Sequence, residues 1–152
     1  TVTIHSAYAL VATFVAGTGV ADGAFSGLRA IAIDTAGNMY CVDDGNHRVQ
    51  KLDEAGAFLH QWGANGTAAG EFDRPMDVAL DSAGNVYVVD SGNDRVQVFD
   101  SSGTYSLEWG ETGTGDGQFS TPYSVAVSDG YAYVGDWHGS RLQKFDRQGT
   151  HV

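Results

Sequence analysis

Between residues 77 and 109 the apolar positions fall into four short runs: Asp77–Leu80, Val86–Val89, Val96–Phe99 and Tyr105–Trp109. Turn-forming stretches divide them, at residues 81–85, 91–94 and 101–103. Valines and aromatics in runs this short predict β-strands. No apolar period near 3.6 residues occurs anywhere in the chain, so no helix is expected.

The same pattern recurs when the chain is laid on itself. Residues 31–40 (IAIDTAGNMY) match residues 78–87 (VALDSAGNVY) at an offset of 47. Residues 46–53 (NHRVQKLD) match residues 93–100 (NDRVQVFD) at the same offset. A third copy reads VAVSDGYAY at 125–133 and RLQKFD at 141–146, where the offset falls to 46. A shorter turn carrying Asp129-Gly130 absorbs the lost residue, and Asp-Gly favours a tight hairpin turn. Four-stranded units repeating at this spacing predict the blades of a β-propeller. The fold class is therefore all-β, with three four-stranded antiparallel blades per chain.

The phase of the repeat sets the organisation. Residues 1–10 form an N-terminal extension. Residues 11–17 align with the fourth strands at Phe58–Trp62 and Tyr105–Trp109, and read as an outer strand for the last blade of a partner chain. Residues 18–62 make blade 1, 63–109 blade 2, and 110–152 blade 3 without an outer strand of its own. Propellers have about four to eight blades. A three-blade arc would leave an apolar face at each end and open strand edges at Val11–Val15 and Leu142–Phe145. Either a second copy closes the ring or the chain is one part of a longer propeller.

The motifs resemble the NHL repeat family. The second copy carries its pattern at Gly70, Phe72, Pro75, Val78 to Asp81, Gly84 to Val88, Asp90, Asn93, Arg95 to Gln97 and Phe99-Asp100. The third copy has Gly139 where Asn is expected, and the first has Leu28 in place of the Pro. The resemblance spans about residues 11–150. It implies a six-bladed ring, which two copies of this chain would supply as a two-fold homodimer with strand exchange at the closure.

Charge narrows the partners. The formal net charge is -11, and Lys51 and Lys144 are the only lysines. Such a surface repels phosphate backbones, so nucleic acid and anionic membranes are poor candidates. Itself, another protein or a small cationic ligand suits the field better. The single cysteine, Cys41, stands where the other copies have Val88 and Val134, and so reads as a small buried hydrophobe.

Asp43, Asn46 and Arg48 recur as Asp90, Asn93 and Arg95, and partly as Asp136 and Arg141. A catalytic site needs one constellation rather than three, so these read as structural ties, a guanidinium fork holding a carboxylate and backbone carbonyls together. Asp34 and Asp81 open turns, where their carboxylates bond nearby backbone N–H groups. The Gly-rich stretches at 17–23, 63–70 and 110–117 lack a P-loop lysine and a following helix. Asp116 and Glu111 are the nearest thing to a calcium site, without EF-hand spacing.

Candidate binding residues lie where the copies differ, on the channel rim: Arg29, Asp44 and His47 in copy one; Met76, Asp77 and Asp94 in copy two; Tyr123, Ser124, Trp137 and His138 in copy three. Trp137-His138 replaces Ser91-Gly92, and an exposed Trp is a frequent binding anchor. Some relatives of the NHL family are metal-dependent lyases, and the resemblance would put metal histidines just after the Pro. Arg29-Ala30, Met76-Asp77 and Tyr123-Ser124 stand there instead. A zinc site needs about three converging ligands, and no catalytic set assembles. The expectation is a non-enzymatic, self-assembling interaction module without a cofactor. The alternative is a lyase or hydrolase, with zinc or calcium, acting through Asp77, Tyr123, His138 and Arg29 at the rim.

Overall fold

The computed structural model describes residues 18–128 and 130–152. The expected N-terminal extension, the outer strand at 11–17 and the centre of the Asp129-Gly130 turn lie outside them.

The described chain forms three antiparallel sheets. Blade 1 contains β1 (Leu28–Ile33), β2 (Met39–Asp43), β3 (Arg48–Leu52) and β4 (Phe58–Trp62). Blade 2 contains β5 (Pro75–Leu80), β6 (Val86–Asp90), β7 (Arg95–Phe99) and β8 (Tyr105–Trp109). Blade 3 contains β9 (Pro122–Ser128), β10 (Tyr131–Asp136) and β11 (Arg141–Asp146). Strand order within each sheet follows chain order. The expected strands of blade 2 are present, lengthened by one or two residues at three ends. The four-stranded expectation holds for the first two sheets, while the third has three strands among the described residues.

The expected open edge of β11 is a partial correction. After Asp146 the chain turns back: the Thr150 carbonyl accepts from the Asp146 N–H at 2.9 Å, and the Val152 N–H donates to the Lys144 carbonyl at 2.9 Å. Phe145 bridges His151 as Leu52 pairs Phe58 and Phe99 pairs Tyr105. A single antiparallel bridge at His151 thus stands where blades 1 and 2 have their fourth strand. The edge at Arg141–Gln143 has no partner on that side among the described residues.

The repeated aspartates explain the tight turns. In each of Asp34, Asp53, Asp81, Asp100 and Asp146, Oδ1 accepts from the N–H groups two and four residues on, at 2.8–3.0 Å. These turns need no partner elsewhere. Burial would raise the carboxyls of Asp34 and Asp81. The side-chain and backbone donors of Asn38 and Asn85, with Ala36 and Ala83, outweigh it and hold both below the ordinary value.

Two apolar clusters lie between blades. Tyr40, Val42 and Val49 of blade 1 meet Phe72, Val78, Val86, Val88 and Phe99 of blade 2. Tyr87, Val89, Val96, Val98 and Trp109 of blade 2 meet Phe119, Val125, Ala132, Val134 and Phe145 of blade 3. Blade 2 thus offers one face to blade 1 and the other to blade 3, with tilted aromatic pairs, Phe72–Phe99 and Phe119–Phe145, in the two clusters. Gly103 and Gly149 follow this scheme: a Cβ at either would strike the Trp of the preceding blade, Trp62 or Trp109, at 2.7 Å, and both have positive φ.

Candidate functional site

A buried polar network ties each blade to the loop that crosses into it. Arg48 Nε donates to Asp43 Oδ2 at 2.8 Å, and its other nitrogens donate to the carbonyls of Val20, Ala21 and Ala24 at 2.7–3.1 Å. Arg95 repeats this with Asp90 at 2.7 Å and the carbonyls of Thr67, Ala68 and Glu71. Arg141 does so with Asp136 at 3.1 Å and the carbonyls of Thr114, Gly115 and Gln118. Asn46 and Asn93 each bridge the same aspartate to a crossing-loop carbonyl, Gly19 or Gly66. The Gly-rich stretches are therefore crossings between blades, pinned by a fork at each corner.

Gln50, Gln97 and Gln143 complete each corner, and sequence reasoning did not single them out as a group. Each donates to the carbonyl that its arginine also binds and accepts from a crossing-loop glycine N–H at 2.8–2.9 Å. Their signal was the repeated Arg-x-Gln at one register.

The rim candidates divide. Met76 is a correction: it is buried in the cluster between blades 2 and 3 rather than on the rim. Its unbranched thioether fills space among branched neighbours there. Arg29 pairs with Asp44 at 3.0 Å on the surface. His47 and Asp94 occupy one left-handed position, with φ of 51° and 50°, and both reach the next blade. The His47 ring meets Asn65 Nδ2 at 3.1 Å and the Arg74 N–H at 3.3 Å. Asp94 accepts from the Thr112 hydroxyl at 2.7 Å and the Thr121 N–H at 2.8 Å. Asp77 also spans blades, accepting from the Val125 N–H at 2.8 Å. Burial raises its carboxyl above the ordinary value, against the Val125 and Val78 N–H groups, which lower it.

Tyr123 and Trp137 come together, ring centres 5.8 Å apart and planes 41° apart, and both are exposed. With Ser124, Gly135, Ser140 and Arg141 they line a hollow of about 370 Å³. Strand register creates it: Gly135 stands where blades 1 and 2 have Val42 and Val89. His138 contacts the Thr121 hydroxyl at 3.0 Å and shares no hydrogen-bond partner with Asp77. Among the described residues no group of three or more His, Cys, Asp or Glu side chains is placed to hold a metal. Glu111 accepts from the Gln118 side chain.

Cys41 is buried, and desolvation, with Asp43 nearby, pushes its thiol up to about 11. It is therefore a neutral, shielded thiol near neutrality. Native protein at pH 8 is expected to react with a disulfide reagent far more slowly than protein in denaturant, measured by the absorbance of the released thiolate. Equal rates would contradict the buried placement.

Three antiparallel blades tied by repeating Asp–Arg corners define a β-propeller chain. Residues 72–99 match the family model described as "NHL repeat". Blade 2 thus carries an NHL repeat, within a chain whose fold is that of a β-propeller. No curated protein matches it. Among solved structures it is similar to virginiamycin B lyase from Staphylococcus aureus (15% identity, TM-score 0.66, covering 84% of this chain and 40% of that one). It is also similar to a streptogramin B lyase (17%, 0.68, 89% and 41%) and to hydrazine synthase from Kuenenia stuttgartiensis (17%, 0.67, 92% and 38%). At these identities the likeness is one of fold. The chain spans about 40% of the length of the structures it matches.

Proposed function

We propose that this chain is a non-enzymatic propeller module for protein or ligand interaction, and that two copies close into a six-bladed ring. One observation carries the closure. Val78 and Val125 face a preceding blade and are 5% and 7% exposed, whereas Ile31, at the same register in blade 1, is 50% exposed. Val49 and Val96 face a succeeding blade and are fully buried, whereas Leu142, their counterpart in blade 3, is 70% exposed. Among the described residues, the two faces that lack a neighbour are the two halves of the interface that the chain already builds twice. Ile31 is larger than its counterparts and Gly135 smaller, so the blade 1 face fits the hollow of a blade 3 face. The open edge at Arg141–Gln143 leaves room for a strand from the second copy. The rim aromatics Tyr123 and Trp137, on an acidic protein, suit a cationic side chain or small ligand. Light scattering tests the closure: twice the 16.0 kDa chain mass is expected, and a monomer at micromolar concentration would overturn it.

A lyase or hydrolase at the rim is the second reading, favoured by the raised carboxyl of Asp77. Zinc or calcium retained by the purified protein and released on substitution of Asp77 or His138 would support it over the module.

A further inference from the structure

The two lysines of this acidic chain occupy the same place in their blades, the fourth position of β3 and of β11. Both project toward the face that meets a succeeding blade, where β7 carries Val98. Lys51 shows what the position does inside the chain. Its ammonium lies 4.7 Å from the Tyr40 ring centre and donates to the Ser101 carbonyl of blade 2 at 3.1 Å. Ser101 is the second residue of the Asp100 turn, and its carbonyl is the one within reach of blade 1. Lys144 has the aromatic half of this arrangement only: its ammonium sits 3.7 Å from the Tyr131 ring centre and 6.0 Å from that of Tyr133.

The residue in blade 1 that corresponds to Ser101 is Glu54, second in the Asp53 turn, which has the same backbone hydrogen bonds. Glu54 is exposed. We infer that Lys144 of one copy seals the ring by binding the Glu54 turn of the other, donating to its backbone carbonyl and pairing with its carboxylate. This inference rests on the ring reading above. Two-fold symmetry makes the contact twice, once at each seam. Blade 1 to blade 2 uses a neutral serine at this position, so the added carboxylate is specific to the seam. It favours blade 3 against blade 1 of a second copy over other pairings. The partner is accordingly another copy of this chain.

A charge exchange separates the seam contact from the ring itself. Lys144→Glu and Glu54→Lys are each made in the full chain and studied by sedimentation. Each alone puts like charges at both seams, and its self-association is expected to weaken by at least about tenfold. Mixed in equal amounts, the two variants restore opposite charges at both seams, so association near the wild-type strength is expected. Wild-type protein that is itself monomeric would sink the ring. A wild-type dimer whose variants associate normally, or fail to recover on mixing, would sink the lysine seam and leave the ring standing. Normal far-ultraviolet circular dichroism of each variant establishes that it is folded.

Discussion

Replacing Leu142 with aspartate is expected to abolish self-association while leaving the individual chain as stable as before. Leu142 is exposed in the single chain, where a polar replacement changes stability by about 0.5 kcal/mol or less. In a closed ring the same position would be as buried as Val49 and Val96. An unpaired carboxylate there costs about 3–5 kcal/mol, and symmetry applies that cost at both seams. The loss far exceeds the tenfold expected from either charge reversal. Light scattering and a thermal melt at low concentration read the two effects separately. A Leu142→Asp protein that retains the doubled mass would show that this face is not the interface.

Replacing Asp90 with alanine is expected to destabilise the chain by about 3–5 kcal/mol, the cost of stranding a buried charge. Its carboxylate accepts from Arg95 Nε at 2.7 Å, Asn93 Nδ2 at 2.9 Å, Gln97 Nε2 at 3.1 Å and the Asp73 N–H at 2.7 Å. Loss of Asp90 leaves the Arg95 guanidinium buried without its anion and frees the crossing loop that the guanidinium holds. Domains of this size have only about 5–15 kcal/mol in total. The comparison is Asp44→Ala, which breaks the surface pair with Arg29 and is expected to cost about 0–1 kcal/mol. Urea unfolding of the two variants measures the difference. Similar midpoints for both would show that the repeated corners are not what holds the blades.

The fold was legible because the repeat compares the chain with itself. The residues that looked catalytic in one copy recur in three, and that recurrence pointed to the corners where Asp43, Asp90 and Asp136 are found. The alternation of Val and aromatic positions located the strands to within a residue or two. Burial at the rim was harder to read. Met76 differs between copies for reasons of packing, and variation alone does not distinguish a binding residue from a core residue adjusting to its neighbours. The bridge at His151 was also missed, because its side chain does not resemble Phe58 or Tyr105. The signal lay instead in Asp146 and Gly149, which repeat the Asp100 and Gly103 of the preceding turn. The pairing of Tyr123 with Trp137 depends on the register between β9 and β10, a geometry that spacing along the chain does not disclose.

Near-identical repeats carry a hazard, since a strand pair from one unit can take the place of its counterpart in a sister unit during folding. The third copy is one residue shorter between its first two strands, yet Val127 stands opposite Ala132 as Leu80 stands opposite Val86. The ladders alone would therefore accept the wrong pairing. What tells the sister units apart is the side chains they present, Gly135 and Trp137 in the third where the second has Val89 and Ser91.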